Sequence, residues 1–190
     1  NIYSSNISTS SGTIVFGTTI YTTGNDNNTI EYCCIYDGAT APYVGIYSSG
    51  TTTSTTHYNS NNTISNNKIY NFINPAGSDG WDTPAAGVFN TGSDFGIKLS
   101  AGTTTWTISG NSFYQNKSTT PYSNGTTATH YAINITNSTG TGFVVENNYI
   151  GGSAANCAGT PWTINQSTIK SNFTAIHLDV GVGGLSTVNH

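Results

Sequence analysis

The chain has no methionine and no arginine, and only three leucines stand against 18 isoleucines. The unbranched helix formers are thus scarce, while the β-branched residues that suit strands are plentiful. No stretch carries a 3.6-residue apolar period, which excludes a helical repeat or a βαβ fold. Charge is just as sparse, with four Lys and eight acidic residues giving a net −4. Without Arg or a basic cluster the chain cannot neutralise phosphates, so nucleic acid is not an expected partner. No apolar run approaches the ~20 residues of a membrane-spanning helix, so no membrane insertion is expected. Cysteine is limited to Cys33, Cys34 and Cys157. Adjacent cysteines seldom bridge, and no C-x-x-C spacing points to zinc. Cys33 and Cys34 are expected to fill places in a strand and its turn. No leader peptide is visible and residue 1 is Asn, so the chain is expected to be processed or excerpted from a longer polypeptide.

What is abundant is Asn, Ser, Thr and Gly, at 24, 22, 33 and 22 residues, or 101 of 190. Such a bias in a disordered chain would come with high charge and few bulky residues. Here 18 Ile, 12 Tyr and 7 Phe accompany it. Strands with turn-rich connections are the remaining reading.

A seven-place pattern then emerges, with apolar residues second and seventh. It is clearest in Thr63-Ile64-Ser65-Asn66-Asn67-Lys68-Ile69 and recurs at Thr29 to Ile35, Thr107 to Phe113 and Val144 to Ile150. Asn1 to Ile7 fits the same frame. A second class of segment alternates with it, as in Gly45-Ile46-Tyr47, Gly96-Ile97-Lys98, Ala132-Ile133-Asn134 and Ala175-Ile176-His177. The step from second class to first is short: Ile97 to Ile108 is 11 residues, and Ile133 to Val145 and Ile176 to Val188 are 12. Constant spacing on one arc and variable spacing elsewhere describes a coil with protruding loops. Five repeats result, about 1–28, 29–62, 63–106, 107–143 and 144–186. The stretch from Trp162 to Ile169 reads as an extra strand within the fifth.

If each repeat is one turn, three inward columns form. They hold Ile2, Ile30, Ile64, Ile108 and Val145; Ile7, Ile35, Ile69, Phe113 and Ile150; and Ile20, Ile46, Ile97, Ile133 and Ile176. The fifth place lies at a bend, where Asn tolerates the left-handed conformation. Asn67, Asn111 and Asn148 should form a ladder there, each amide bonding to the next copy.

Asn62 to Phe72, Trp106 to Gln115 and Asn147 to Gly152 carry a family resemblance. The chain resembles the right-handed parallel β-helix proteins of the pectate-lyase-like superfamily. More narrowly it resembles the Asn/Thr/Gly-rich β-helix repeats of very large secreted or surface proteins of Bacteroidetes. The resemblance implies an all-β, right-handed parallel β-helix, a β-solenoid of about five turns with long protruding loops, and export from the cell. It also raises polysaccharide cleavage. A pectate lyase's acidic calcium cluster with a basic residue, or a polygalacturonase's grouped Asp with Gly-His-Gly and Arg-x-Lys, has no counterpart in this sequence.

The best acidic group is Asp79, Asp82 and Asp94, with Trp81 beside it. Paired carboxylates could act on a glycosidic bond, or bind Ca²⁺ through oxygen ligands. A polar loop with turn-forming Asp explains them as well, and no other cofactor is implied. Trp106 and Trp162 precede strand segments and should pack. His57, His130, His177 and His190 are scattered, and His177 with Asp179 reads as a solvated pair on one strand face. The expected function is that of an extracellular or cell-surface, non-enzymatic structural or adhesive β-helix, with neighbouring copies or adjacent repeats stacked at both ends. Surface glycans are the other expected partner, and a carbohydrate-binding or -cleaving β-helix using the 74–95 loop is the alternative.

Overall fold

The computed structural model of the protein describes residues 1–17, 23–39, 41–73, 93–117, 128–162 and 171–190. Three five-stranded sheets, parallel throughout, dominate them. Sheet I stacks Thr29–Glu31, Thr63–Ser65, Thr107–Ser109, Val144–Glu146 and Thr187–Asn189. Sheet II stacks Ile2–Ser4, Cys34–Asp37, Lys68–Tyr70, Ser112–Tyr114 and Tyr149–Ile150. Sheet III stacks Ile14–Phe16, Val44–Ser48, Asp94–Leu99, Ala128–Asn137 and Ser171–Val180. The chain visits I, II and III in turn and then repeats, which makes a parallel β-solenoid of five rungs. A two-stranded ladder, Asn59–Ser60 with Thr103–Thr104, adds a short wall where sheet III returns to sheet I.

Parallel pairing places like residues over like. Ile30, Ile64, Ile108, Val145 and Val188 share one column. Ile35, Ile69, Phe113 and Ile150 share the second, and Ile46, Ile97, Ile133 and Ile176 the third. Between them they enclose one core, in which Ile46, Ile64, Ile69, Ile97, Ile108, Phe113 and Ile133 have no exposed surface.

The first repeat departs from expectation. Ile2 pairs with Ile35, not with Ile30, so it belongs to the second column. Ile7, expected there, is 51% exposed. Ile14 takes the place expected for Ile20 in the third column by pairing with Ile46; Ile20 lies outside the described residues. The cause is that apolar residues five apart recur often in an Ile- and Asn-rich chain. The tyrosine after Ile2 is the better guide, because Tyr36, Tyr70 and Tyr114 follow the seventh place in the same way.

The corner between sheets I and II also differs in detail. The left-handed residue is the fourth of the frame, not the fifth: Tyr32, Asn66, Gly110 and Asn147 have φ of 53°, 56°, 65° and 53°. That turn points the fifth side chain inward, along the axis. Asn67 donates to Asn111 Oδ1 from both its backbone N–H and its Nδ2, at 3.0 Å each. Asn111 does the same to Asn148 Oδ1, again at 3.0 Å. The three Nδ2 groups also donate to the carbonyls of Ile30, Ile64 and Ile108 in the preceding rungs, at 2.8–2.9 Å. Each amide, fully buried at Asn67 and Asn111 and half-buried at Asn148, therefore satisfies backbone groups that a bend would orphan. Cys33 starts the ladder as donor only, its N–H bonding Asn67 Oδ1 at 2.9 Å.

A second amide pair lines the entry to sheet I. Asn28 donates to Asn62 Oδ1 through N–H and Nδ2, at 2.8 and 3.0 Å. Two rungs on, the equivalent places hold Trp106 and Phe143, both fully buried. Trp106 keeps its polar end satisfied by donating Nε1–H to Asn59 O at 2.8 Å.

Candidate functional site on the outer face of sheet III

Sheet III has the longest strands, up to ten residues, and so the widest outer face. Its core column alternates with an outward row. Val15, Tyr47, Lys98, Asn134 and His177 stand side by side in register. Lys98 Nζ lies 4.7 Å from the ring centre of Phe95 and 5.7 Å from that of Tyr47. It donates to Thr9 O at 2.6 Å. Burial against these rings lowers its ammonium pKa. His177 Nδ1 is 2.7 Å from Asn134 Oδ1, and Thr136 Oγ1 donates to the same oxygen at 3.3 Å. An amide oxygen can only accept, so Nδ1 carries the proton. Phe95 and Tyr131 stack at 5.2 Å and 6°, and Tyr131 meets the His177 ring at 5.8 Å. The face thus joins an amine, an amide and an imidazole to a row of aromatic rings. Phe95 and Asn134 are buried, so the parts of the row open to a ligand are His177, the half-buried Tyr131 ring and the half-buried Lys98.

The acidic residues singled out in the sequence are placed unevenly. Asp94 opens a sheet III strand, has no exposed surface, and sets Oδ2 2.9 Å from Nδ1 of His130, itself 4% exposed. Asp79, Trp81 and Asp82 lie outside the described residues. The Asp94–His130 contact was open to sequence reasoning, since each stands three residues before a third-column isoleucine, Ile97 or Ile133. Asp179 lies beside Thr136 in register, two places beyond His177. Among the described residues no three His, Cys, Asp or Glu converge to hold a metal ion. Trp106 and Trp162 both pack; the Trp162 ring meets Phe72 at 6.2 Å and Phe173 at 4.7 Å. All three cysteines are unpaired.

Two further features were missed. On the outer face of sheet II the rings of Tyr3, Tyr36, Tyr70 and Tyr114 form one stack, with centres 5.7, 5.0 and 4.7 Å apart. Beside it a polar corner links three rungs. Asn71 Nδ2 donates to Asp37 Oδ1 and to Asn116 Oδ1, both at 2.8 Å, and Lys117 Nζ reaches Asp37 Oδ2 at 2.7 Å. A cavity of about 230 Å³ adjoins that corner, lined by Asn116, Lys117, Ser153, Thr160 and Trp162 among others.

The tyrosine stack sets a pH dependence. Burial pushes the Tyr114 phenol up to about 12, with smaller contributions from Tyr70 and Cys34. Burial also raises Tyr70, as do its neighbours Cys34, Tyr36 and Asp37. The fold therefore favours the protonated phenols. Their contribution is whole below the unfolded value of about 10 and is lost as pH climbs through the folded value. Stability should fall above about pH 10, and Tyr114→Phe should flatten part of that alkaline slope. Denaturant unfolding across an alkaline pH series checks this; a slope identical in the variant would contradict it.

No family model, curated protein or solved structure matches the chain.

Proposed function

We propose that the chain is a non-catalytic structural or adhesive β-helix of an extracellular or cell-surface assembly, continued at its ends by further rungs. One observation carries the reading. Among the described residues, the ten exposed large apolar ones belong to the outermost strands or the turns beside them: Ile2, Tyr3, Ile7, Val15 and Tyr32 at one end, and Tyr149, Phe173, Val182, Leu185 and Val188 at the other. A solenoid that works alone needs polar ends, because an open strand edge invites pairing. The resemblance to repeats of large secreted or surface proteins of Bacteroidetes supports the location, and the low charge suits a durable external structure. The test is incubation with a panel of polysaccharides, reading new reducing ends or unsaturated uronate. No turnover is expected. Turnover that disappears in an Asp79→Asn, Asp82→Asn double variant would sink the non-catalytic reading.

The second reading is a carbohydrate-binding β-helix. It is favoured by the single row of Lys98, Asn134 and His177 beside the Phe95–Tyr131 stack, on the sheet that Asp94 joins to the 74–95 loop. Under it, the chain would be retained on an insoluble polysaccharide and a Tyr131→Ala variant released.

A further inference from the structure

We propose that Lys117 and Asn71 join in an intramolecular amide cross-link between Nζ and Cγ, with loss of ammonia and with Asp37 moving the protons. The corner after the tyrosine stack is where the amide rows of this coil give way to charge. Successive rungs place Asp37, Asn71 and Gln115 directly after Tyr36, Tyr70 and Tyr114. Three amides there could form a neutral ladder like that of Asn67, Asn111 and Asn148. The second rung instead sets a carboxylate, 5% exposed, beside Asn71, and the fourth sends Lys117 back to it. An ion pair with a buried member is weak evidence for stability, because desolvation offsets its attraction. The groups around this one are those of an acyl transfer.

Lys117 Nζ is the nucleophile, and it donates to Asp37 Oδ2 at 2.7 Å. Asn71 Cγ is the acyl carbon, on a residue only 3% exposed. Its Oδ1 accepts the Asn116 backbone N–H at 3.1 Å, which polarises the carbonyl and meets the oxyanion that develops there. Its Nδ2, the leaving group, donates to Asp37 Oδ1 at 2.8 Å. One carboxylate thus touches the nucleophile with one oxygen and the leaving nitrogen with the other. It takes a proton from the Lys117 ammonium, and the free amine attacks Cγ. The bond from Cγ to Nζ forms, and the carbonyl electron pair moves onto Oδ1. A proton passes from Nζ through Asp37 to Nδ2. The bond from Cγ to Nδ2 then breaks, and the Oδ1 pair restores the carbonyl. The ammonia released takes the proton left on Asp37 and departs as ammonium, and Asp37 is a carboxylate again. The balance needs no co-reactant. The product ties the third rung covalently to the fourth.

The test is mass spectrometry of the folded 190-residue chain, intact and after trypsin under denaturing conditions. The intact chain should be lighter than its sequence by one ammonia. Trypsin cuts after Lys, and the four are Lys68, Lys98, Lys117 and Lys170. A linked Lys117 is not cut, so fragments 69–98 and 99–170 should appear as one branched species, with 99–117 missing. Lys117→Arg keeps a cation for Asp37 but offers no amine, and Asp37→Asn keeps the shape but cannot move the protons. Each should restore the full sequence mass and the release of 99–117. A parent chain of full sequence mass, cut after Lys117, overturns the proposal. So does ammonia loss that persists in Lys117→Arg, because it would be succinimide formation at an asparagine. A branched species that survives in Asp37→Asn overturns the role given to Asp37. Polysaccharide turnover would alter none of these masses, so the cross-link stands or falls apart from the structural reading.

Discussion

Replacement of Asn111 by Leu should cost about 2–6 kcal/mol of stability, through two buried backbone groups left unpaired at about 1–3 kcal/mol each. Asn111 has no exposed surface and sits in the middle of the ladder. Its Oδ1 is the acceptor for the Asn67 N–H, and its Nδ2 is the donor to Ile64 O. Leucine has a similar shape but offers neither atom. The Asn111 backbone N–H keeps its bond to Asn148 Oδ1, and Asn67 Nδ2 and Asn148 Oδ1 each lose one of two bonds, so the groups left wholly unpaired are those two. A loss at the upper end would consume much of the roughly 5–15 kcal/mol that a domain has in total. Cys33→Ala, at the same place two rungs earlier, should cost only about 1 kcal/mol. Its side chain is half-buried against the core and its one side-chain hydrogen bond, Sγ to Glu31 O at 3.3 Å, leaves no buried backbone group dependent on it. Urea unfolding followed by circular dichroism measures both. Equal effects at the two places would show that the ladder contributes no more than any corner residue.

The ladder amides were legible in the sequence and the turn that aims them was not. Asn67, Asn111 and Asn148 stand at one frame place, so their stacking follows from the repeat alone. Which residue turns left-handed is decided by backbone geometry, and the fourth place hides it because Tyr32 and Gly110 stand there along with Asn66 and Asn147, so no one residue type marks it. The columns of sheet I were legible for a different reason. β-branched residues at a step of 11 or 12 leave one register open, and it carries through to Val188. The first rung failed because its turn residues differ, so that Ile2 and Ile7 imitate a frame they do not occupy.

Contacts on the outer faces were harder to read. The tyrosine stack arises from residues 33, 34 and 44 apart, and in a chain with 12 Tyr its four members look like any others until register is known. The same holds for Lys98, whose partner Thr9 lies 89 residues away. Asp94 was chosen for its nearness in sequence to Asp79 and Asp82. Its partner is instead His130, 36 residues on and one rung over. In a solenoid, nearness is counted in rungs, and only the columns reveal how many residues one rung takes.

That geometry makes one glycine more costly to change than any charge on the surface. Gly50 and Gly102 close the corner after sheet III in the second and third rungs, with their backbones in contact. A Cβ on Gly50 would lie 2.1 Å from Gly102 O, a backbone atom that cannot swing aside. The corner is also pinned by the Gly50 N–H bond to Ala101 O at 3.0 Å and the Asn59 N–H bond to Gly102 O at 2.9 Å. Gly50→Ala must therefore push the rungs apart at one corner, while strands in three sheets hold them ~4.8 Å apart elsewhere. Overpacking of a rigid site costs about 3 kcal/mol, at the upper end of the usual range. Gly17→Ala is the matched control. Gly17 is exposed, has no positive φ, and nothing lies within 4 Å of its added carbon; its effect should stay within about 0.5 kcal/mol. The form of the melt carries more information than its midpoint. Solenoid stability is a sum of rung terms and nearest-neighbour interfaces, and Gly50 weakens the single interface between rungs two and three. Thermal unfolding of Gly50→Ala should separate into two steps, the first two rungs melting before the last three, where the parent chain melts in one. A single transition merely shifted to lower temperature would mean that cooperativity is held by the sheets on the other sides of the coil and not by this corner.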